Sequence, residues 1–180
     1  MDSAPAPAAT TAPACQVTGA DGCAQWHPIY GDAWVGLLQT HRQLTRELDA
    51  QLEAEHGLSL SGLELLARLA SAPAHWLRLS ALASQTGLSL SRVSRIVDAL
   101  ESRSVIERRP CPSDARAINA HLTTAGAELL GAAEQTHRAA VQQSFFDRLS
   151  ATEVETLAAV FGRFAPGAAA ACPKGPVLPR

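Results

Sequence analysis

Within residues 89–122 the apolar period switches from helical to alternating. Val93, Ile96, Val97 and Leu100 recur at i, i+3, i+4 and i+7, behind a Ser89 that can cap a helix. The other face of that helix presents Ser91, Arg92, Arg95, Asp98 and Arg103. Two β-prone segments follow, near 105–109 and 117–122. In the second, Ile118, Ala120 and Leu122 alternate with Ala117, Asn119 and His121. Pro110, Pro112, Ser113 and Asp114 lie between the segments. They predict a hairpin whose turn is too long for a tight two-residue loop.

Elsewhere the dominant period is helical. Residues 32–56 place Leu37, Leu44, Leu48 and Leu52 on one stripe of a long helix that stops at Gly57. Ser61-Gly-Leu-Glu64 has the capping-box pattern and opens a helix with Leu65, Leu66 and Leu69, closed by Pro73. Trp76–Leu79 suits a short strand, and Ser80 can cap a brief helix ending near Gly87. Thr123 or Thr124 can cap a long helix reaching about Phe146. Ser150-Ala-Thr-Glu153 is a second capping box, before a helix with Leu157, Val160, Phe161 and Phe164 that Pro166 stops. The expected fold is mainly α with a small β wing.

Composition frames this core. A chain of 180 residues suits one domain, here 26–165. Residues 1–25 and 166–180 read as a disordered and a flexible tail, because Ala- and Pro-rich stretches bury too little surface to offset their ordering entropy. No apolar run approaches the roughly 18 residues of a membrane span, and no signal peptide is visible. A soluble, cytoplasmic protein is expected, and its four Cys are not expected to form a disulfide framework. Net charge is −2, which argues against a general polyanion binder. Locally the balance differs. Residues 75–122 hold Arg78, Arg92, Arg95, Arg103, Arg108, Arg109 and Arg116 against Asp98, Glu101, Glu107 and Asp114. Local charge governs steering, since the Debye length is only about 8 Å at physiological salt.

The Ser80–Thr86 segment, Gly87 and the Ser89–Arg103 helix form a helix-turn-helix pattern. Small hydroxyls at Ser89, Ser91 and Ser94 allow close backbone approach, the helix N-terminus favours phosphate, and Arg92 and Arg95 can read guanine. An ordinary amphipathic surface helix would look similar. A hairpin directly after the pattern makes it a winged helix. Arg108 and Arg109 lie on the incoming strand and Arg116 in the turn, where an arginine can enter a minor groove. Asp114 can orient that guanidinium, or the pair can simply stabilise the turn.

The run SRIVDALESRSVIERRPCPSDARAINAHLTTAGAELL, residues 94–130, resembles the multiple-antibiotic-resistance regulator family, MarR. The carrying elements are Arg95, Asp98 and Leu100, then Glu107-Arg108, Pro110-x-Pro112, Asp114-x-Arg116, and Leu122-Thr123 with Gly126. The resemblance implies a winged helix-turn-helix core at about 60–123. It also implies N- and C-terminal dimerisation helices at about 32–56 and 124–164. It implies a homodimeric repressor on pseudo-palindromic double-stranded operator DNA. Ser89, Ser91, Arg92, Ser94 and Arg95 become recognition-helix candidates, Arg116 the minor-groove finger and Asp114 its partner. Arg108 and Arg109 become phosphate contacts, although the former can be structural. The Leu37–Leu52 stripe and Val160, Phe161 and Phe164 become dimer-core candidates. The chain departs from the family at Ser104, where Gly is usual, and at Ala115, where a second basic residue is common.

The same resemblance implies release by a small aromatic or phenolic ligand, an oxidant or a metal. Trp34 and His41 are the effector candidates, or else pack on a neighbouring helix or chain. Cys111, beside Arg109, is the redox candidate, or else an incidental thiol. Cys and His spacings match no compact metal site, and no cofactor or enzyme motif is present, so neither metal nor catalysis is expected. Competing readings are a small-molecule or redox sensor with secondary DNA output, and a dimeric scaffold that does not bind DNA.

Overall fold

The fold was obtained as a computed structural model. Residues 14–20, 22, 24–111 and 114–164 are described, with backbone only at Cys111 and 114–117. The tails at 1–13 and 165–180 lie outside them. Contacts divide the chain into two units, Met1–Gln43 and Leu44–Arg180.

In the first unit, β1 (Gln16–Thr18) and β2 (Ala24–Trp26) pair antiparallel, with Val17 opposite Gln25. Part of the expected N-terminal tail is therefore a small exposed hairpin. Its three-residue strands are too short to show a period in the sequence. α1 (Pro28–His56) begins here, earlier than expected, with Pro at its first position.

The second unit holds the remainder of α1 and everything after it. α2 spans Leu60–Ser71, β3 Trp76–Arg78, α3 Leu79–Thr86 and α4 Leu90–Ser102. β4 spans Ile106–Cys111, β5 Asp114–Leu122, α5 Thr124–Ser144 and α6 Ala151–Phe164. The sheet order is β3-β5-β4, all antiparallel. The molecule is mainly α with a small β wing.

Caps set most helix boundaries. The α2 cap is Ser59 rather than Ser61: its hydroxyl accepts the Gly62 N–H at 3.1 Å, and Asp49 Oδ1 accepts the Leu60 N–H at 2.7 Å. Ser80 lies inside α3, whose preceding residue Arg78 makes no side-chain cap; α3 ends on a left-handed Gly87. Ser89 caps α4, and Thr123 caps α5 by accepting the Gly126 N–H at 3.0 Å. Ser150 and Glu153 form a reciprocal capping box before α6, at 2.8 and 3.4 Å.

The core lies under the wing. Leu52, Leu58, Leu65, Leu66, Leu69, Leu82, Val93, Val97 and Ile106 are fully buried. Truncating any of these Leu to Ala costs about 2–5 kcal/mol in a typical core. The Leu37–Leu52 stripe divides. Leu48 and Leu52 are buried within the chain itself, which corrects their placement in a dimer core, whereas Leu37 is exposed. Gly126 allows α5 to start against the wing, because a Cβ there would overlap the Val105 carbonyl oxygen.

Candidate nucleic-acid interface

α4 has an apolar face that buries Val93, Val97 and Leu100, and an exposed face with Ser91, Arg92 and Arg95. Ser89 is exposed too, but its hydroxyl accepts the Arg92 N–H at 3.3 Å and meets Ser91 Oγ at 3.1 Å. Arg92 Nη2 donates to Ser61 Oγ on α2, at 3.2 Å. Among the described residues, no hydrogen bond or ion pair engages the Arg95 guanidinium. Arg103, just past α4, donates to the Gly57 and His56 carbonyls at the end of α1. Those carbonyls are the unsatisfied, partly negative end of a long helix, so a cation suits them. Arg92, Arg95 and Arg103 line an open cavity of about 630 Å³ with Glu53, Ser59 and Ile96.

Leu90 is a residue that the sequence reading passed over. It is 53% exposed in the first turn of α4, among serines and arginines. Its three-residue spacing from Val93 continues the apolar stripe, which hid its exposure.

Ser94 and Arg108, both candidates for the DNA surface, engage each other, which fits the structural alternative read for Arg108. Arg108 Nη1 pairs with Asp98 Oδ1 at 2.6 Å, and Nη2 donates to Ser94 O at 2.9 Å and Ser94 Oγ at 3.2 Å. Its backbone N–H donates to Glu101 Oε1 at 3.0 Å. Its Nε lies 3.6 Å from Glu101 Oε2, in ion-pair range but too long for a hydrogen bond. Only 20% of the Arg108 side chain is exposed. This guanidinium fixes the wing strand β4 to α4. It is a positioning group, committed to these partners within the chain.

Arg109 alternates to the outer face of the sheet. Its Nε and Nη2 donate to Glu107 at 2.9–3.0 Å, and its guanidinium lies 5.4 Å from the Trp76 ring centroid. In the ladder, Pro110 pairs with Ile118 but Cys111 pairs with Asp114. Residues 115–117 are therefore passed over, and only positions 112 and 113 separate the paired strand ends. The hairpin is tighter at its tip than expected, because this register slip absorbs the extra residues. Arg116 sits in that slipped segment. The side chains of Asp114, Arg116 and Cys111 lie outside the described residues.

Ser104 joins α4 to the wing at φ 59°, the left-handed region. Its N–H donates to Glu101 O and its carbonyl accepts the Thr123 hydroxyl, both at 2.8 Å. These bonds hold a conformation that disfavours a Cβ by roughly 1–2 kcal/mol. Trp34 and His41 are exposed on the first-unit part of α1. Among the described residues, no group of three or more His, Cys, Asp or Glu could hold a metal ion. None of their helices is long and apolar enough to cross a membrane.

The MarR family model matches residues 58–118. The MarR family transcriptional regulator Sco3205 of Streptomyces coelicolor, solved in complex with DNA, is 31% identical. That match has a TM-score of 0.72 and covers 79% of this chain and 89% of Sco3205. The chain belongs to the MarR family. A second MarR regulator of that organism, AbsC, is 28% identical with TM-score 0.69, over 81% of this chain and 99% of AbsC. Wild-type E. coli MarR in its apo form shares the MarR fold at 23% identity and TM-score 0.62, over 72% of this chain and 93% of its own. A search of curated protein sequences returns no match. Within the matched MarR segment lie α2, β3, α3, α4, β4 and part of β5, the elements that carry every helix and strand arginine described above.

Proposed function

We propose that this MarR protein is a homodimeric, sequence-specific transcriptional regulator that represses from pseudo-palindromic operators. α4 enters the major groove and the wing Arg116, oriented by Asp114, enters the minor groove. The observation that carries this reading is the exposed face of α4. Ser91 is small, Arg92 is tied to α2, and Arg95 is exposed and unengaged by any described residue. Arg95 has the donor geometry for guanine O6 and N7, and Leu90 suits a thymine methyl. The Sco3205 complex with DNA, at 31% identity, supports the same partner.

Two copies would place two α4 helices on half-sites about one helical turn, roughly 34–36 Å, apart. Exposed apolar side chains on α1 (Ile29, Trp34, Val35, Leu37) and, separately, on α6 (Phe161, Phe164) are the surfaces a second copy would cover. Release by a small aromatic or phenolic effector at Trp34 and His41 belongs to the same reading.

Fluorescence anisotropy on DNA from the protein's own upstream region, against scrambled DNA at physiological salt, tests it. Specific binding should be at least about a thousandfold tighter. Arg95→Ala and Arg116→Ala should each cost about 1–3 kcal/mol on the specific site. Full affinity and specificity in both variants would remove the proposed readout.

A further inference from the structure

We infer that Trp76 and Glu107 are positioning residues that present Arg109 to a phosphate of the DNA backbone beside the wing. This rests on the DNA-binding reading above, in which Arg109 is already a phosphate candidate, and adds the two groups that orient it.

The strand register puts the participants on one face. Across β3-β5-β4, Trp76, His121 and Glu107 form one row, and Arg78, Asn119 and Arg109 the row two residues along. Side chains two apart share a face. Leu77, Ala120 and Arg108 occupy the row between and point to the opposite, core-facing side, where Ala120 is fully buried. Trp76 and Arg109 thus stand on the outer side of the sheet, away from α4.

There Trp76 serves as a platform. Its ring meets His121 at 4.3 Å between centroids and lies under the Arg109 guanidinium at 5.4 Å. A cation within about 6 Å of a Trp face is attracted by the ring quadrupole. Glu107 adds a bidentate grip on Nε and Nη2. A flexible surface arginine is thereby reduced to one orientation before any partner arrives, which removes part of the ordering cost of binding.

What remains free is chemically specific. Among the described residues nothing hydrogen-bonds to Nη1 of Arg109, and 61% of the side chain is exposed. Nη1 offers two N–H donors on a fixed plane, suited to a phosphate oxygen. Arg109 is two residues before Cys111, where β4 gives way to the wing tip. A wing inserted in a minor groove brings this strand alongside the flanking backbone. A phosphate contact of this kind adds affinity without base preference.

The full-length protein is titrated with operator and scrambled duplexes over a salt series, as wild type, Arg109→Ala, Trp76→Ala, Trp76→Phe and the Trp76→Ala/Arg109→Ala double variant. Arg109→Ala should weaken both duplexes by the same factor and lower the salt slope by about 1. Trp76→Ala should weaken binding several-fold alone but add no loss on top of Arg109→Ala, and Trp76→Phe should restore most of it. Losses that multiply in the double variant would make Trp76 merely structural, and an unchanged salt slope in Arg109→Ala would remove the phosphate contact. A loss confined to the operator duplex would make Arg109 a base reader and also overturn the inference. Wild type that binds neither duplex would overturn the DNA-binding reading itself, and this contact with it.

Discussion

Ser104 and Arg108 show how a single position sets what the wing can do. A non-glycine residue at φ 59° is strained, yet two hydrogen bonds of 2.8 Å hold it there. Ser104→Gly removes the strain but loosens the unfolded chain. The net expectation is a gain of up to about 1 kcal/mol, read as a higher urea midpoint with unchanged m-value. A lower midpoint would mean that the serine side chain itself supports the junction. The departure at this position was visible in the sequence, because a family pattern exposes a missing glycine. The commitment of Arg108 was only one of two readings there, phosphate contact or structural group. Sequence places Asp98, Glu101 and Arg108 near one another along the chain, but only the packing of β4 on α4 decides that the guanidinium turns inward. An arginine free to meet phosphate and one locked in a salt bridge have the same letter and much the same spacing.

α5 carries a titratable group whose setting depends on its neighbour α2. His137 borders a second cavity of about 320 Å³, with Leu60, Leu63, Glu64, Ala67 and Glu134. Burial among these groups lowers its pKa below the ordinary 6.5; Arg138 lowers it further and Glu134 opposes. The folded value is depressed, so the unfolded chain binds the proton more readily. The contribution to stability is complete above about pH 6.5 and is lost as pH falls through the lowered folded value. The urea midpoint should therefore fall more between pH 7.5 and pH 5.5 in wild type than in His137→Gln, and equal falls would count against this setting. Helices with strong periods and hydroxyl caps, α4 and α5 above all, were readable from sequence. β1 and β2 were not, since three residues cannot display an alternation. The α2 cap was displaced by two residues because Ser59 and Ser61 offer the same hydroxyl, and Asp49 on α1 favours the earlier start.

For the molecule as a whole, α6 has no buried residue, and Phe164 is 81% exposed at its end. Apolar surface of that kind is expected to be covered in solution. If a second copy covers it, Phe161→Glu/Phe164→Glu should shift the protein from dimer to monomer in light scattering, and weaken operator binding while leaving the second-unit core folded. A variant that stays dimeric would move the interface elsewhere. The helix proposed to read DNA is meanwhile pinned along its length: Arg92 to α2, Ser94 and Asp98 to Arg108, and Arg103 to the last carbonyls of α1. None of these ties uses the side chain of Leu90 or Arg95, and among the described residues the Ser91 hydroxyl hydrogen-bonds only to its neighbour Ser89. The letters that would choose an operator are thus separable from the joints that hold the helix. On the proposed readout, lineages of this protein would change target genes by exchanging those three side chains, without rebuilding the frame that presents them.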